Sequence, residues 1–244
     1  MVWCADFLPG PDLARITDAH CHLDFPDFDD DRDAVLARAR DAGVQRFLVP
    51  GVQKSQWSRL ETLGQKYADW SLAYGLHPYF IEAHQEADLK ALSQQLEKGA
   101  IALGEIGLDA TVGDQEKQVH FFKEQLAIAA ALELPVILHH RRTLDTLLSL
   151  VRQAGVTQGM VHAFSGSYEQ AMAWIDAGFY LGVGGVITYE RAQKTRAALA
   201  RVPLQRLLLE TDSPDMPLQG YQGQRNEPAR VIRVRDTLRE LRQL

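Results

Sequence analysis

Asp18, His20 and His22 alternate in Asp-Ala-His-Cys-His, so on an extended chain all three side chains point to one face and Cys21 to the other. Imidazole and carboxylate at that spacing are ligands for a divalent metal. The same chemistry recurs downstream in Glu105, in the pair His139 and His140 followed by Arg141, in His162, and in Asp212 within Glu-Thr-Asp-Ser-Pro. Gathered in one place without an ion, these imidazoles and carboxylates would carry a heavy desolvation cost. A metal site is therefore expected. His84 and His120 lie in charge-rich segments and are expected at the surface, and Cys21 is expected as a small apolar filler.

The elements that must position these groups show in the hydrophobic rhythm. Short apolar runs occur at residues 15–20, 46–51, 71–76, 101–107, 135–140, 159–164, 179–184 and 206–211. Most are continuously apolar, as in parallel strands covered on both faces. Between them lie helix-length amphipathic segments at 31–42, 55–67, 88–98, 114–132, 142–154, 168–177, 191–201 and 228–241, four of them followed by Gly43, Gly99, Gly155 and Gly178. Eight strands alternating with eight helices define an α/β fold of the (β/α)8 TIM-barrel type, and no GxGxxG, Walker A or GxSxG pattern favours an open sheet instead. The candidate ligands all fall at the C-terminal ends of the runs, the rim on which barrel active sites are built.

The chain has 244 residues, 46% hydrophobic, with 32 acidic and 26 basic side chains and a net charge of −6. That composition excludes a disordered chain and a protein that coats nucleic acid by bulk charge, though not a local phosphate site. No linker divides it, so one domain over 1–244 is expected, with 1–14 as a preamble. Two cysteines, Cys4 and Cys21, and no signal or membrane-length apolar run point to a soluble cytoplasmic protein without a structural disulfide or a membrane partner. No obligate protein partner is evident.

Six motifs then carry a resemblance. Asp-Ala-His-Cys-His-Leu-Asp from Asp18, Gly-Leu-His-Pro from Gly75, Gly-Glu-Ile-Gly-Leu-Asp from Gly104, Pro-Val-Ile-Leu-His-His-Arg from Pro135, His-Ala-Phe-Ser-Gly from His162 and Glu-Thr-Asp-Ser-Pro from Glu210 resemble the motif series of the TatD family. These are metal-dependent deoxyribonucleases among the amidohydrolase-like barrels. The stretches from Gly182 to Tyr189 and from Asp215 to Gly220 resemble its YjjV-like branch. The chain departs from the family at its ends, with a longer lead before the first motif and a stop at Leu244 where relatives continue.

The resemblance implies a two-metal site. His20 and His22 match the paired ligands, Glu105 the bridging carboxylate, His139 and His162 ligands of the second ion, and Asp212 the carboxylate of the last strand. It also selects His139 over His140. Zinc, magnesium, manganese, nickel or iron suits such ligands. Two dications about 3.5–4 Å apart repel by roughly 18 kcal/mol at an effective dielectric of 20, so a shared anion such as Glu105 is required. The expected reaction is hydrolysis of a DNA phosphodiester, of the 3'-5' exonuclease kind, on single strands or frayed ends. Asp212 is the expected general base, Arg141 and His77 the phosphate contacts, Asp24 a substrate contact, and Asp18 and Glu210 orienters of ligand imidazoles. The stretch 217–226, with Tyr221 and Arg225, is expected to stack on or clamp a terminal nucleotide, and the glycines at 182–185 either to cradle a phosphate or to make a tight turn after the seventh strand. The same ligand set would serve a small ester, lactone, phosphoester or amide hydrolase, whereas a non-catalytic metal-binding protein would be expected to have lost ligands.

Overall fold

All eight expected helices form: α1 Arg32–Asp41, α2 Lys54–Lys66, α3 Glu86–Leu96, α4 Gln115–Ala131, α5 Leu144–Gln153, α6 Tyr168–Asp176, α7 Gln193–Arg201 and α8 Val231–Arg242. The computed structural model describes residues 5–8 and 13–244. Cys4 and the preamble's residues 1–3 and 9–12 lie outside the described residues. Local chemistry sets the helix ends. The Asp114 carboxylate accepts the Lys117 N–H at the start of α4, and Gln85 and Asp88 form a reciprocal capping box on α3. Gly43, Gly99, Gly155 and Gly178 all take positive φ, the left-handed conformation that stops a helix cheaply only at glycine.

Among the described residues seven strands form: β1 Phe47–Gly51, β2 Trp70–Tyr74, β3 Ala102–Asp109, β4 Val136–Arg141, β5 Gly159–Val161, β6 Phe179–Val183 and β7 Leu207–Leu209. The described residues fall into two compact units. The first holds those up to Val49 with Ala163–Ile175 and Tyr180–Leu244; the second holds Pro50–His162 and Asp176–Phe179. In the second unit β2, β3, β4 and β5 pair in parallel in chain order. Leu103, Ile106, Val136, Ile137 and Leu138 are fully buried there, with Phe121, Phe122 and Leu126 of α4 buried as well. In the first unit β6 and β7 pair in parallel.

The eighth strand, expected at residues 15–20, does not form as a ladder and leaves one bridge, Asp18 to Phe47. Its backbone is nevertheless tied on both edges. Asp18 N–H donates to Arg46 O and Cys21 N–H to Leu48 O on one side, while Ala19 N–H donates to Leu209 O and Asp212 N–H to His20 O on the other. A side chain interrupts the second edge. Thr211 N–H donates to the Asp18 carboxylate at 3.0 Å rather than to a carbonyl. The fold is thus α/β with seven parallel strands and one side-chain-spliced segment. No helix of the described residues is long and apolar enough to cross a membrane.

Candidate metal centre

In the first unit His20, His22 and Asp212 converge. His20 Nε2 and His22 Nε2 stand 3.3 Å apart, at 3.6 and 3.5 Å from Asp212 Oδ1. Ligands about 2.1 Å from a tetrahedral ion stand about 3.4 Å from one another, so this triangle has the edge lengths of such a coordination shell. Asp18 brings its corners together through the backbone. Its Oδ1 accepts the N–H groups of His20 (3.3 Å) and Thr211 (3.0 Å), and its Oδ2 accepts the Thr211 hydroxyl at 2.6 Å. That corrects the sequence expectation: Asp18 holds main chain beside His20 and Asp212 instead of orienting an imidazole. Burial pushes the Asp18 carboxyl up to about 8 against these bonds, with the Glu210 charge adding to the rise. His22 stacks on Phe25, ring centroids 4.7 Å apart, which fixes its plane.

Asn226 locks the segment carrying Asp212, and nothing in the sequence pattern marked it. Fully buried, it donates from Nδ2 to Thr211 O at 2.9 Å and to Met216 O at 3.2 Å, while its own N–H donates to Pro214 O. Asn226→Ala removes both Nδ2 bonds and strands the buried Thr211 carbonyl, and should cost about 2 kcal/mol in urea unfolding. The same substitution should weaken divalent-cation binding at His20, His22 and Asp212 in calorimetric titration. Wild-type stability would remove Asn226 from this role.

In the second unit His77, Glu105 and His139 converge. The register of β3 on β4 runs Leu103 to Val136 and then Ile106 to Leu138, one residue extra on β3, and this bulge falls at Glu105. Gly107 makes the tight approach possible, since a Cβ there would lie 2.0 Å from His139 O. Glu105 Oε1 is 3.2 Å from both His77 Nε2 and His139 Nδ1. The two imidazoles differ in tautomer. His77 Nδ1 accepts the Tyr79 N–H at 3.0 Å, so its proton sits on Nε2 and donates to Glu105. His139 Nε2 donates to Asp109 Oδ2 at 3.3 Å, which leaves the Nδ1 lone pair facing an acceptor. Two acceptors face to face demand a cation or a proton, and the carboxylate behind the imidazole is the arrangement that orients metal-bound histidines. Burial opposes charge on His139, but its bonds to Asp109 and then Glu105 outweigh that and raise its pKa. Burial also works to raise Asp109, yet the bonds from His139 and Thr111 leave it well below the usual range.

His162 stands outside that trio, buried just past the end of β5, its N–H donating to Leu138 O. Arg141 is exposed at the end of β4, and Asp24 is buried in the first unit. Glu210 accepts the Ala163 N–H at 2.6 Å and lies against Gly182, where a Cβ would sit 2.4 Å from the carboxylate. Gly182 therefore makes room for a side chain, not a phosphate. Arg225 is already engaged: it makes paired bonds to Asp31 at 2.8 and 2.7 Å, and Arg230 covers Tyr221. A nucleotide clamped over 217–226 would have to displace these contacts. His84 is buried, not at the surface, with Nε2 2.9 Å from His77 O; burial lowers its pKa, so it donates there as the neutral ring. His120 is exposed and paired with Glu86, and Cys21 is fully buried with its thiol pKa raised by that burial.

Residues 17–244 match the family described as TatD-related DNase, and the chain belongs to it. It is 46% identical over 236 residues to the uncharacterized metal-dependent hydrolase YjjV of Escherichia coli K12, covering 94% of this chain and 91% of that protein. The crystal structure of that homologue superposes with a TM-score of 0.90. A Cronobacter turicensis protein named as the 3'-5' ssDNA/RNA exonuclease TatD is 39% identical over 199 residues, covering 77% of this chain and 73% of its own.

Proposed function

We propose that this protein is a metal-dependent hydrolase that cleaves DNA phosphodiesters, removing nucleotides from a 3' end. The observation that carries the reading is the His20, His22 and Asp212 triangle, with the spacing of a coordination shell, in a chain of the TatD-related DNase family. That triangle would hold one divalent cation. Glu105 and His139 would hold a second, with His162 as the further ligand the family resemblance assigns. Bound there, divalent ions supply Lewis acidity toward phosphoryl oxygens and lower the pKa of water. We place the fold in the (β/α)8 class, with residues 15–20 taking the position of the missing strand; the bonds on both edges of this segment support this.

The chain's own groups then divide the proton work. Asp212 accepts a proton from the attacking water, whose oxygen bonds to phosphorus as the bond from phosphorus to the leaving oxygen breaks. His77, which holds its proton at Nε2, donates toward that oxygen. Arg141 meets the phosphate charge and Asp24 the substrate.

The test is metal-replete protein on end-labelled single-stranded DNA, RNA and a panel of small esters, lactones and amides, with a chelated control. Release of mononucleotides from the 3' end, abolished by chelation, is expected. Turnover of the small panel with DNA left intact would overturn the nuclease reading and keep the hydrolase.

A further inference from the structure

The first unit contains a cavity of about 540 Å³ between the turn that follows β6 and the loop that follows β7. Val186, Tyr189, Arg191, Ala192, Met216 and Pro217 line it. Among the described residues its walls are apolar or aromatic, its single charge is the exposed Arg191 guanidinium, and no carboxylate lines it. The volume is in the range of pockets that take small ligands.

These walls are built before any ligand arrives. The Tyr189 hydroxyl donates to Pro217 O at 2.6 Å, joining one segment to the other. A second tie runs through Thr188, whose hydroxyl donates to Gly185 O and accepts the Gln219 N–H. Met216 is 39% exposed yet held at φ +49°, a conformation costly for a residue with a Cβ, while Asn226 grips its carbonyl. A strained, clamped residue presenting an exposed thioether to a cavity is the pattern of a functional wall. Met216 follows Asp212 by four residues, so their Cα atoms stand no more than about 14 Å apart, and the turn bond from Asp215 N–H to Asp212 O shortens that reach.

We infer that this cavity is a nucleobase subsite: it receives a planar base against Met216 and Tyr189, with Arg191 turned to the adjoining phosphate. Aromatic and thioether surfaces suit the face of any base, and one cation beside them suits the charge that a nucleotide always carries next to its base. Arg191 now lies over the Tyr189 ring, 4.6 Å from its centroid, so a guanidinium plane is already stacked at the entrance. The inference rests on the DNA reading above and names how that substrate would be gripped.

The test compares two phosphodiesters with the same leaving group, the p-nitrophenyl ester of thymidine 5'-phosphate and methyl p-nitrophenyl phosphate, on metal-replete protein. Met216→Ala should lower the ratio of kcat/KM for the thymidine ester over the methyl ester by about 10-fold, while Arg191→Gln, facing the phosphate that both esters carry, should lower kcat/KM for both. An unchanged ratio overturns the subsite. Calorimetric binding of adenosine 5'-monophosphate to the full chain separates the two levels of the proposal. If neither ester is cleaved, the hydrolytic reading fails, while binding that Arg191→Gln weakens about 10-fold still supports the subsite. Absence of binding to wild type overturns it.

Discussion

Asp212→Asn should lower DNA turnover at saturating metal by about 10³-fold, within the range that a positioned general base contributes. The substitution keeps an oxygen donor in the same place and removes two things, the negative charge and the capacity to take a proton. The backbone should tolerate it. Asp212 sits at φ +59°, a conformation that asparagine adopts as readily as aspartate, and its N–H bond to His20 O does not involve the side chain. Melting temperature of the metal-free protein should therefore stay within about 2 °C of wild type. Cation affinity should fall, because a neutral amide replaces the carboxylate 3.5 Å from His22 Nε2. Measuring turnover over a metal titration separates this loss from the loss of the base. Turnover restored to near wild type by excess metal would leave Asp212 as a ligand and take it out of proton transfer.

Much of this site was legible because its residues sit where two regularities coincide. Alternation along residues 18–22 grouped His20 with His22, and strand rhythm put Glu105, His139 and Asp212 at run ends; the structure gathers His20, His22 and Asp212 in the first unit, and Glu105 and His139 with His77 in the second. The helices were legible through their caps and stops, such as Asp114 and Gly155. What escaped the sequence depends on contacts across the fold. His84 looks like a surface histidine beside Glu82, Glu86 and Asp88, yet a short turn over Pro78–Ala83 folds it under the His77 carbonyl. The first strand reads as a full strand, but the Asp18 side chain competes for a backbone donor and breaks the ladder. Asp109 had a signal: it lies four residues from Glu105 in β3, and period-two spacing puts both near His139. Asn226 had none, since its partners are carbonyls brought to it by the loop.

Glu105→Gln is the second large effect, and it reads the other unit. In β3, Glu105 is buried with one oxygen 3.2 Å from each of two imidazoles, and glutamine matches its shape without its charge. Its loss should weaken a cation at Glu105 and His139 by more than about 100-fold, beyond the 10–100-fold typical of losing an outer partner. Elemental analysis after desalting should show bound metal reduced by about one equivalent per chain, as expected for one of two sites, because His20, His22 and Asp212 are untouched. The stability of the metal-free chain should move the opposite way or not at all. A buried carboxylate without its cation carries a desolvation cost, and a neutral isostere relieves it. The combination of lost metal with retained or raised melting temperature distinguishes a ligand from a structural carboxylate. If Glu105 instead serves as the acceptor of a folding-critical ion pair with protonated His139, Glu105→Gln should lower the metal-free melting temperature and leave metal content whole, and its place in the metal centre falls.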